Sequence, residues 1–130
     1  MGDEEKKGRI LIMDDEDMVG EIAIHLFKYI GYDAVHVKDG EEAVRKYVEQ
    51  QNQGERFDFV IMDLSVPGGM GGKEAVGEIL AVDQHAKVLV SSGYSTDPVM
   101  TNFDEYGFVG AVPKPFDLMT IRKTFESLSQ

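Results

Sequence analysis

The chain has 130 residues, a length that fits one compact domain. Hydrophobic residues make up 42% of it and charged residues 28%, which is typical of a globular protein and not of a disordered one. The absence of cysteine excludes a disulfide framework and a thiolate metal site. A net charge of −11, with no basic stripe to offset it, argues against direct binding of nucleic acid.

The two ends of the chain frame a single predicted domain. Residues 1–8 are polar and charged, and no apolar segment of a signal peptide follows them. We predict a disordered tail over residues 1–8 and one domain over residues 9–128. No apolar run reaches membrane-spanning length, so we expect a cytoplasmic protein that does not insert into membranes.

The first half of the chain alternates between predicted strands and helices. Residues 9–14 form a short apolar run closed by acids, which is typical of a buried strand. Apolar residues at helical spacing follow over 18–30, and Gly31 supplies a helix stop. Residues 32–37 predict the second strand, and an apolar stripe over 43–48 predicts the second helix.

The second half continues the same alternation. Apolar runs over 57–63, 87–91 and 108–112 predict three further strands, and helical patterns over 75–80, 99–106 and 118–128 predict three further helices. A glycine-rich loop over 64–72 follows the third strand. The fourth helix has the weakest pattern, with Ser95, Thr96 or Asp97 as its expected cap and Pro98 in its first turn.

This strict alternation predicts an α/β fold. Five strands and five helices imply a (βα)5 doubly wound parallel five-stranded sheet with helices on both faces, joined by right-handed crossovers. In such folds, chemistry takes place outside the carboxyl ends of the strands, near the point where the strand order reverses. The residues that end the strands are therefore the candidate functional residues.

Three carboxylates, a hydroxyl and an ammonium stand at or just after predicted strand ends. They belong to Asp14, Asp15, Asp63, Ser91 and Lys114. Two like charges about 4 Å apart repel by about 4 kcal/mol at an effective dielectric near 20, and a hard cation offsets that repulsion. Oxygen ligands without histidine or cysteine favour magnesium, and three acids, one lysine and one divalent cation sum to zero charge.

The same five groups suit phosphoryl transfer. That reaction requires mainly positioning and charge stabilisation, and a carboxylate can act as its nucleophile by forming an acyl phosphate. Asp63 is the best candidate for the nucleophile, because it ends the central predicted strand and leads into the glycine-rich loop.

Four segments, residues 10–16, 58–68, 88–93 and 112–116, carry a resemblance to a known family. In this order and at this spacing they resemble the receiver domain of bacterial and archaeal two-component response regulators, the CheY-like domain. The resemblance covers residues 9–128 and implies a flavodoxin-like strand order of 2-1-3-4-5.

The resemblance also implies a role for each candidate residue. Asp63 is the expected phosphoacceptor, and Asp14 and Asp15 are expected to hold Mg²⁺ together with Asp63 and the backbone carbonyl of Ser65. The implied partner is a sensor histidine kinase or a histidine phosphotransfer protein, whose phosphohistidine donates the phosphoryl group. The implied protein is a signalling domain, not an enzyme, although it assists its own phosphorylation and dephosphorylation.

Ser91 and Lys114 complete the site that the resemblance implies. Ser91 is expected to bond a phosphoryl oxygen, and Lys114 to bridge the phosphoryl group and Asp63. The peptide bond between Lys114 and Pro115 is expected to be cis. Phosphorylation is expected to switch a surface that an unknown downstream partner binds.

Two other functions remain open from the sequence. A haloacid-dehalogenase-like phosphohydrolase opens with a D-x-D motif, which the segment from Asp15 to Asp17 fits, but it leaves Asp63 idle. A receiver that serves only as a docking surface, without phosphorylation, is the third hypothesis. Ala111 favours it mildly, because many receivers carry an aromatic residue there, although Phe108 or Tyr94 can substitute.

Several residues have plainer interpretations. Asp14 or Asp15 can cap the first helix, and Lys114 can be a surface lysine. His25, His36 and His85 are scattered, and we interpret all three as structural or solvent-facing. With no output segment in view, the chain is expected to be a free-standing regulator or the receiver of a larger protein such as a hybrid sensor kinase.

Overall fold

The structure is a computed structural model that describes residues 7–94 and 96–128. Its five strands are β1 (Gly8–Met13), β2 (Tyr32–Val37), β3 (Phe59–Asp63), β4 (Val88–Ser92) and β5 (Gly110–Pro113). Its α-helices are α1 (Asp17–Tyr29), α2 (Gly40–Asn52), α3 (Gly72–Val82), α4 (Pro98–Thr101) and α5 (Leu118–Leu128), and a 3₁₀ turn covers Phe103–Tyr106.

The strands form one parallel sheet in the order β2-β1-β3-β4-β5. This confirms both the α/β doubly wound class and the strand order that the family resemblance implied. The strand order reverses between β1 and β3, so the carboxyl ends of these two neighbouring strands border the crevice where such folds bind ligands.

Alternate residues of the strands supply two separate cores. Ile10 and Ile12 of β1 belong to the core that contains Phe27 of α1 and Phe125 of α5. Leu11 and Met13, the residues between and after them, belong to the core that contains residues of α2 and α3. Because successive strand residues point to opposite faces, a strand buried on both faces is apolar throughout, which explains the continuous apolar runs in the sequence.

Strand boundaries lie within two residues of the predicted ones, and those of β1, β3, β4 and β5 differ. β1 begins at Gly8, inside the predicted tail, whose residues 1–6 lie outside the described residues. β3 begins at Phe59 and β5 at Gly110, each two residues later than predicted. Phe57 and Phe108 are buried in the core next to these strands, so their apolar character reflects packing and not strand pairing.

The fourth helix is shorter than its sequence pattern predicted. α4 is a single turn, and the 3₁₀ turn at Phe103–Tyr106 follows it after Asn102. Asp97 is its N-cap, because its Oδ1 accepts a hydrogen bond from the backbone N–H of Val99 at 2.9 Å. Thr96 is not the cap, and the third candidate, Ser95, lies outside the described residues.

Gly31 ends α1 as predicted, with a φ of 106° that favours glycine. Among the residues that the structure describes, no helix combines the length and apolar character needed to cross a lipid bilayer.

Candidate functional site

The predicted site residues lie at one edge of the sheet. Asp14 directly follows β1, and Asp63 is the last residue of β3. Ser91 of β4 is the register partner of Asp63. Lys114 directly follows β5, and its backbone N–H donates to the carbonyl of Ser92 at 3.0 Å. The parallel ladder therefore brings together groups that are far apart in the sequence.

The ammonium of Lys114 lies between two buried carboxylates. Its Nζ is 2.6 Å from Oδ2 of Asp14 and 3.2 Å from Oδ1 of Asp63. Asp14 is 1% exposed and Asp63 5% exposed, so water screens these charges poorly. Burial by itself lowers the pKa of Lys114, but the hydrogen bond to Asp14 and the charges of both aspartates outweigh it and raise that pKa. Lys114 therefore stays protonated and is not a surface lysine.

Asp63 binds a proton more tightly than an ordinary aspartate. Burial is the main cause and raises the pKa of Asp63 to about 6, with a further increase from the nearby negative charge of Asp14. The charge and hydrogen bond of Lys114, together with a backbone hydrogen bond from Ser65, act in the opposite direction. A carboxylate whose charge is this costly to maintain benefits from a further cation.

A cluster of three acidic residues includes Asp14, one of the two aspartates that Lys114 contacts. Carboxylate oxygens of Asp14, Asp15 and Glu16 lie within 4.8 Å of one another. Asp14 is buried, whereas Asp15 and Glu16 are exposed. Asp63 is not a member of this cluster and is connected to it by the ammonium of Lys114, which contacts Asp14. Sequence reasoning gave Glu16 no role, although it directly follows the two predicted ligands.

The side chain of Asp14 also shapes the turn that follows β1. Its Oδ1 accepts a hydrogen bond from the backbone N–H of Glu16 at 2.9 Å. Glu16 is the N-cap of α1, and no side-chain capping bond is made there. Asp14 therefore stabilises the turn before the helix and does not itself cap the helix, so its second oxygen remains directed to Lys114.

The hydroxyl of Ser91 is buried without a partner among the described residues. Ser91 is 1% exposed, and its Oγ makes no hydrogen bond within that part of the chain. The hydroxyl of Ser92, in contrast, accepts a hydrogen bond from the backbone N–H of Tyr94 at 3.0 Å. Leaving a buried hydroxyl unpaired costs about 1–3 kcal/mol. A phosphoryl oxygen bound at Asp63, the register partner of Ser91, would accept that hydrogen bond.

The loop after Asp63 owes its path to glycine. A Cβ on Gly71 would lie 2.6 Å from the carbonyl oxygen of Leu64, and a Cβ on Gly72 would lie 2.9 Å from that of Asp63. The loop is also attached to α2, because the backbone N–H of Gly40 donates to the carbonyl of Met70 at 2.7 Å. The end of the loop therefore packs against the backbone of Asp63 and Leu64, where the loop begins.

The structure places the three histidines differently from one another. His25 and His85 are exposed, in agreement with the sequence interpretation. His36 is partly buried, and its Nε2 lies 2.8 Å from the carbonyl oxygen of Asp14. The sequence did not predict this contact, because His36 and Asp14 are 22 positions apart in the chain.

Ala111, at the position where many receivers carry an aromatic residue, and the two aromatic residues that could substitute for it lie in different environments. Ala111 is partly buried and packs against the core that contains residues of α2 and α3. Phe108 is buried in the same core, and Tyr94 is 78% exposed. The peptide bond between Lys114 and Pro115 is cis, as the resemblance implied.

Comparison with known proteins agrees with this geometry. Residues 10–126 match the family described as the response regulator receiver domain. The chain is 28% identical over 123 residues to the chemotaxis protein CheY of Thermotoga maritima, covering 94% of this chain and 98% of that protein. It is 27% identical over 114 residues to the sporulation initiation phosphotransferase F of Bacillus subtilis, covering 88% of this chain and 87% of the relative.

Solved structures share the same architecture. A CheY of Borrelia burgdorferi, solved in complex with CheX, BeF3 and Mg²⁺, has a TM-score of 0.85 at 24% identity, covering 96% of this chain and 91% of that one. A LuxR-family two-component response regulator from Aurantimonas has a TM-score of 0.80 at 31% identity, covering 93% and 84%. The chain belongs to the response regulator receiver domain family and is a signalling domain of the two-component type.

The phosphohydrolase alternative is not favoured. Asp17, the second acid of its D-x-D motif, lies in the first turn of α1 and is paired with Lys38 at 3.0 Å on the surface. Lys114 contacts Asp14 and Asp63 instead. The family match, which covers most of the chain, points to a receiver.

Proposed function

We propose that Asp63 accepts a phosphoryl group from the phosphohistidine of a sensor histidine kinase or a histidine phosphotransfer protein. The observation that carries this proposal is the ammonium of Lys114, which contacts both Asp14 and Asp63 at the carboxyl edge of the sheet. A fixed positive charge beside a buried carboxylate suits an acceptor that must take up further negative charge.

The bonds made and broken in the transfer lie between Asp63, phosphorus and the donor imidazole. An oxygen of Asp63 forms a bond to phosphorus while the bond from phosphorus to the donor imidazole nitrogen breaks, and the imidazole leaves with that electron pair. The product is an acyl phosphate on Asp63. The ammonium of Lys114 stabilises the charge on the transferred group, and the hydroxyl of Ser91 donates a hydrogen bond to one of its oxygens.

The residues at this edge also fit a bound Mg²⁺. Asp14, Asp15 and Asp63, with the backbone carbonyl of Ser65, offer the oxygen donors that this cation prefers, and Glu16 adds another carboxylate to the cluster. Bound there, Mg²⁺ supplies positive charge that neutralises the carboxylates and the incoming phosphoryl oxygens. The buried carboxylate of Asp63, whose charge is costly to maintain without a further cation, supports this assignment.

The biological role follows from this chemistry and from the family. Phosphorylation of Asp63 biases two arrangements of the domain, and a downstream partner binds one of them preferentially. In this proposal the domain assists its own phosphorylation and dephosphorylation and acts in the cytoplasm. One relative is named a phosphotransferase, which agrees with the proposal. One structural neighbour is a CheY that was solved in a complex with CheX, BeF3 and Mg²⁺, which also agrees with it.

Labelling with acetyl phosphate tests the proposed acceptor. We expect the chain to gain one phosphoryl group in the presence of Mg²⁺, detected by intact mass, and the Asp63→Asn variant to gain none. Asp17→Asn is the matched control, because Asp17 is an exposed acid whose partner is Lys38, and it should label normally. Full labelling of Asp63→Asn would overturn the proposal.

Two further measurements separate the other functions from this one. Steady turnover of p-nitrophenyl phosphate that depends on Asp15 or Asp17 would indicate a phosphohydrolase. Amide NMR shifts that stay unchanged on adding beryllofluoride and Mg²⁺ would indicate a receiver used only for docking. We expect no turnover, and shifts centred on the strand ends that carry Asp63 and Ser91.

A further inference from the structure

The imidazole of His36 reaches the acidic turn from the edge strand of the sheet. Its Nε2 is 2.8 Å from the carbonyl oxygen of Asp14, and because that oxygen can only accept, the Nε2–H donates. His36 is partly buried on β2, where its register partner is Ile12 of β1. The ring thus connects β2 to the residue that follows β1.

The hydrogen bond from His36 adds a side-chain contact after the last backbone hydrogen bond between β1 and β2. The backbone N–H of Asp14 donates to the carbonyl of Val37 at 3.0 Å, and Val37 is the last residue of β2. The chain then turns towards α2, whose N-cap is Asp39. The imidazole of His36 donates to the backbone carbonyl of Asp14. Residues of β2 therefore bind both the backbone N–H and the backbone carbonyl of Asp14.

Helix α1 leaves space for the ring. A Cβ on Gly20 would lie 2.4 Å from both Cε1 and Nδ1 of His36. Glycine is less favourable than alanine inside a helix, so its presence in α1 requires a packing reason. The position of the His36 ring provides that reason.

A second polar contact near the same turn is weaker. The Nζ of Lys38 lies 3.0 Å from Oδ1 of Asp17, but both side chains are more than half exposed. Exposed ion pairs contribute little because water and salt screen them. Of these two polar contacts, the partly buried bond from His36 to the carbonyl of Asp14 is therefore the stronger one.

We propose that His36 is a positioning residue for the metal-binding turn. It holds the peptide carbonyl of Asp14 against β2, which fixes the direction in which the carboxylates of Asp14 and Asp15 point. His36 touches neither the metal nor the phosphoryl group and acts through the backbone of Asp14. This inference rests on the proposed function, because it assumes that the turn holds Mg²⁺.

Titration calorimetry with Mg²⁺ on the full chain tests this role. His36→Phe keeps a ring of similar size and removes the donor, and we expect it to weaken Mg²⁺ binding about 10-fold, as the loss of an outer-shell partner commonly does. His36→Gln retains an N–H donor and should recover most of the affinity. His25→Phe is the control, because His25 is exposed and its Nδ1 contacts the carbonyl of Glu21 in its own helix.

The close approach to Gly20 supplies an independent test. Gly20→Ala should displace the ring and weaken Mg²⁺ binding in the otherwise native chain. In a His36→Ala background the same substitution should leave Mg²⁺ affinity unchanged and should raise Tm by about 2–5 °C, because alanine favours the helix. Equal effects of Gly20→Ala in both backgrounds would contradict the inference, even if His36→Phe does not fold.

The outcomes separate this inference from the proposed function. If the native chain does not bind Mg²⁺, the proposed function fails and the role of His36 fails with it. If the native chain binds Mg²⁺ and folded His36→Phe binds it equally well, the role of His36 alone is overturned. If His36 had only a structural role, His36→Phe and His36→Gln would lower Tm and leave the Mg²⁺ affinity of the folded protein unchanged.

Discussion

Lys114 contacts Asp63 across an intervening strand, with its Nζ 3.2 Å from Oδ1 of the carboxylate. Lys114 follows β5 and Asp63 ends β3, and β4 lies between these two strands in the sheet. Neighbouring strands are about 4.8 Å apart, so the lysine side chain must extend over the end of β4. Ser91 of β4 is the register partner of Asp63, so the lysine side chain passes the end of the strand that carries this serine.

The stability of the metal-free protein should depend on the charge of Asp63. Its pKa is about 6 in the folded chain, against about 3.9 for an ordinary aspartate. Because the folded state binds the proton more tightly, Asp63 favours folding below about pH 4, and this contribution is lost as pH rises through about 6. We expect Asp63→Asn to be more stable than the native chain by about 1–3 kcal/mol at pH 7.

Urea unfolding in the presence of a chelator measures this difference. The advantage of Asp63→Asn should be close to zero at about pH 4 and should reach its plateau above about pH 6.5. Glu78→Gln is the control, because Glu78 is exposed on α3 and its substitution should have little effect at any pH. A difference between Asp63→Asn and the native chain that does not vary with pH would contradict the buried-charge explanation.

Adding Mg²⁺ should stabilise the native chain. A ligand that binds only the folded state adds about 2.7 kcal/mol at 100 times its dissociation constant. Asp15→Asn and Asp63→Asn should show a smaller rise in Tm on adding Mg²⁺ by scanning calorimetry, because each removes a proposed ligand. Asp17→Asn should respond like the native chain, and loss of its response would shift the metal site towards α1.

The neighbouring serines of β4 should respond oppositely to removal of the hydroxyl. Ser91→Ala removes a buried hydroxyl without a partner in the described part of the chain, so Tm should stay the same or rise. Ser92→Ala removes the bond to the N–H of Tyr94 and should destabilise the protein by about 0.5–1.5 kcal/mol. In labelling with acetyl phosphate, Ser91→Ala should be slower by about 10-fold or more, whereas Ser92→Ala should remain close to native.

A buried tyrosine–aspartate pair should stabilise the fold without affecting the site. The hydroxyl of Tyr47 donates to Oδ2 of Asp83 at 2.6 Å, and this bond, with smaller contributions from the N–H of His85 and from Arg56, lowers the pKa of Asp83. Tyr47→Phe should cost about 1–3 kcal/mol at pH 7, measured by urea unfolding.

The pH dependence of that loss has a definite sign. A depressed pKa contributes stability above about pH 3.9 that disappears as pH falls through the folded value, so the cost of Tyr47→Phe should shrink in acid. Labelling of Asp63 should be unchanged in this variant. Tyr29→Phe, at a tyrosine 72% exposed on α1, is the control and should be neutral.

Much of the fold was predictable because its signals are local. Strands buried on both faces require continuous apolar runs, and α1 and α2 require apolar stripes at helical spacing. The weaker fourth pattern proved to be one turn of α-helix and a 3₁₀ turn, because Val99, Met100 and Phe103 pack on the core without a continuous helix. Phe57 and Phe108 shifted two strand boundaries because burial and strand pairing produce the same local signal.

The sequence predicted which residues lie near one another at the strand ends, but not the contacts that they make. Alternating strands and helices place every strand end at one edge, which was enough to select Asp14, Asp63 and Lys114 as neighbours. Tertiary packing set the separate features: the shorter contact of Lys114 with Asp14, the unpartnered hydroxyl of Ser91, and the bond from His36 to the backbone of Asp14. These depend on strand register and side-chain direction between residues distant in the chain, which no local pattern encodes.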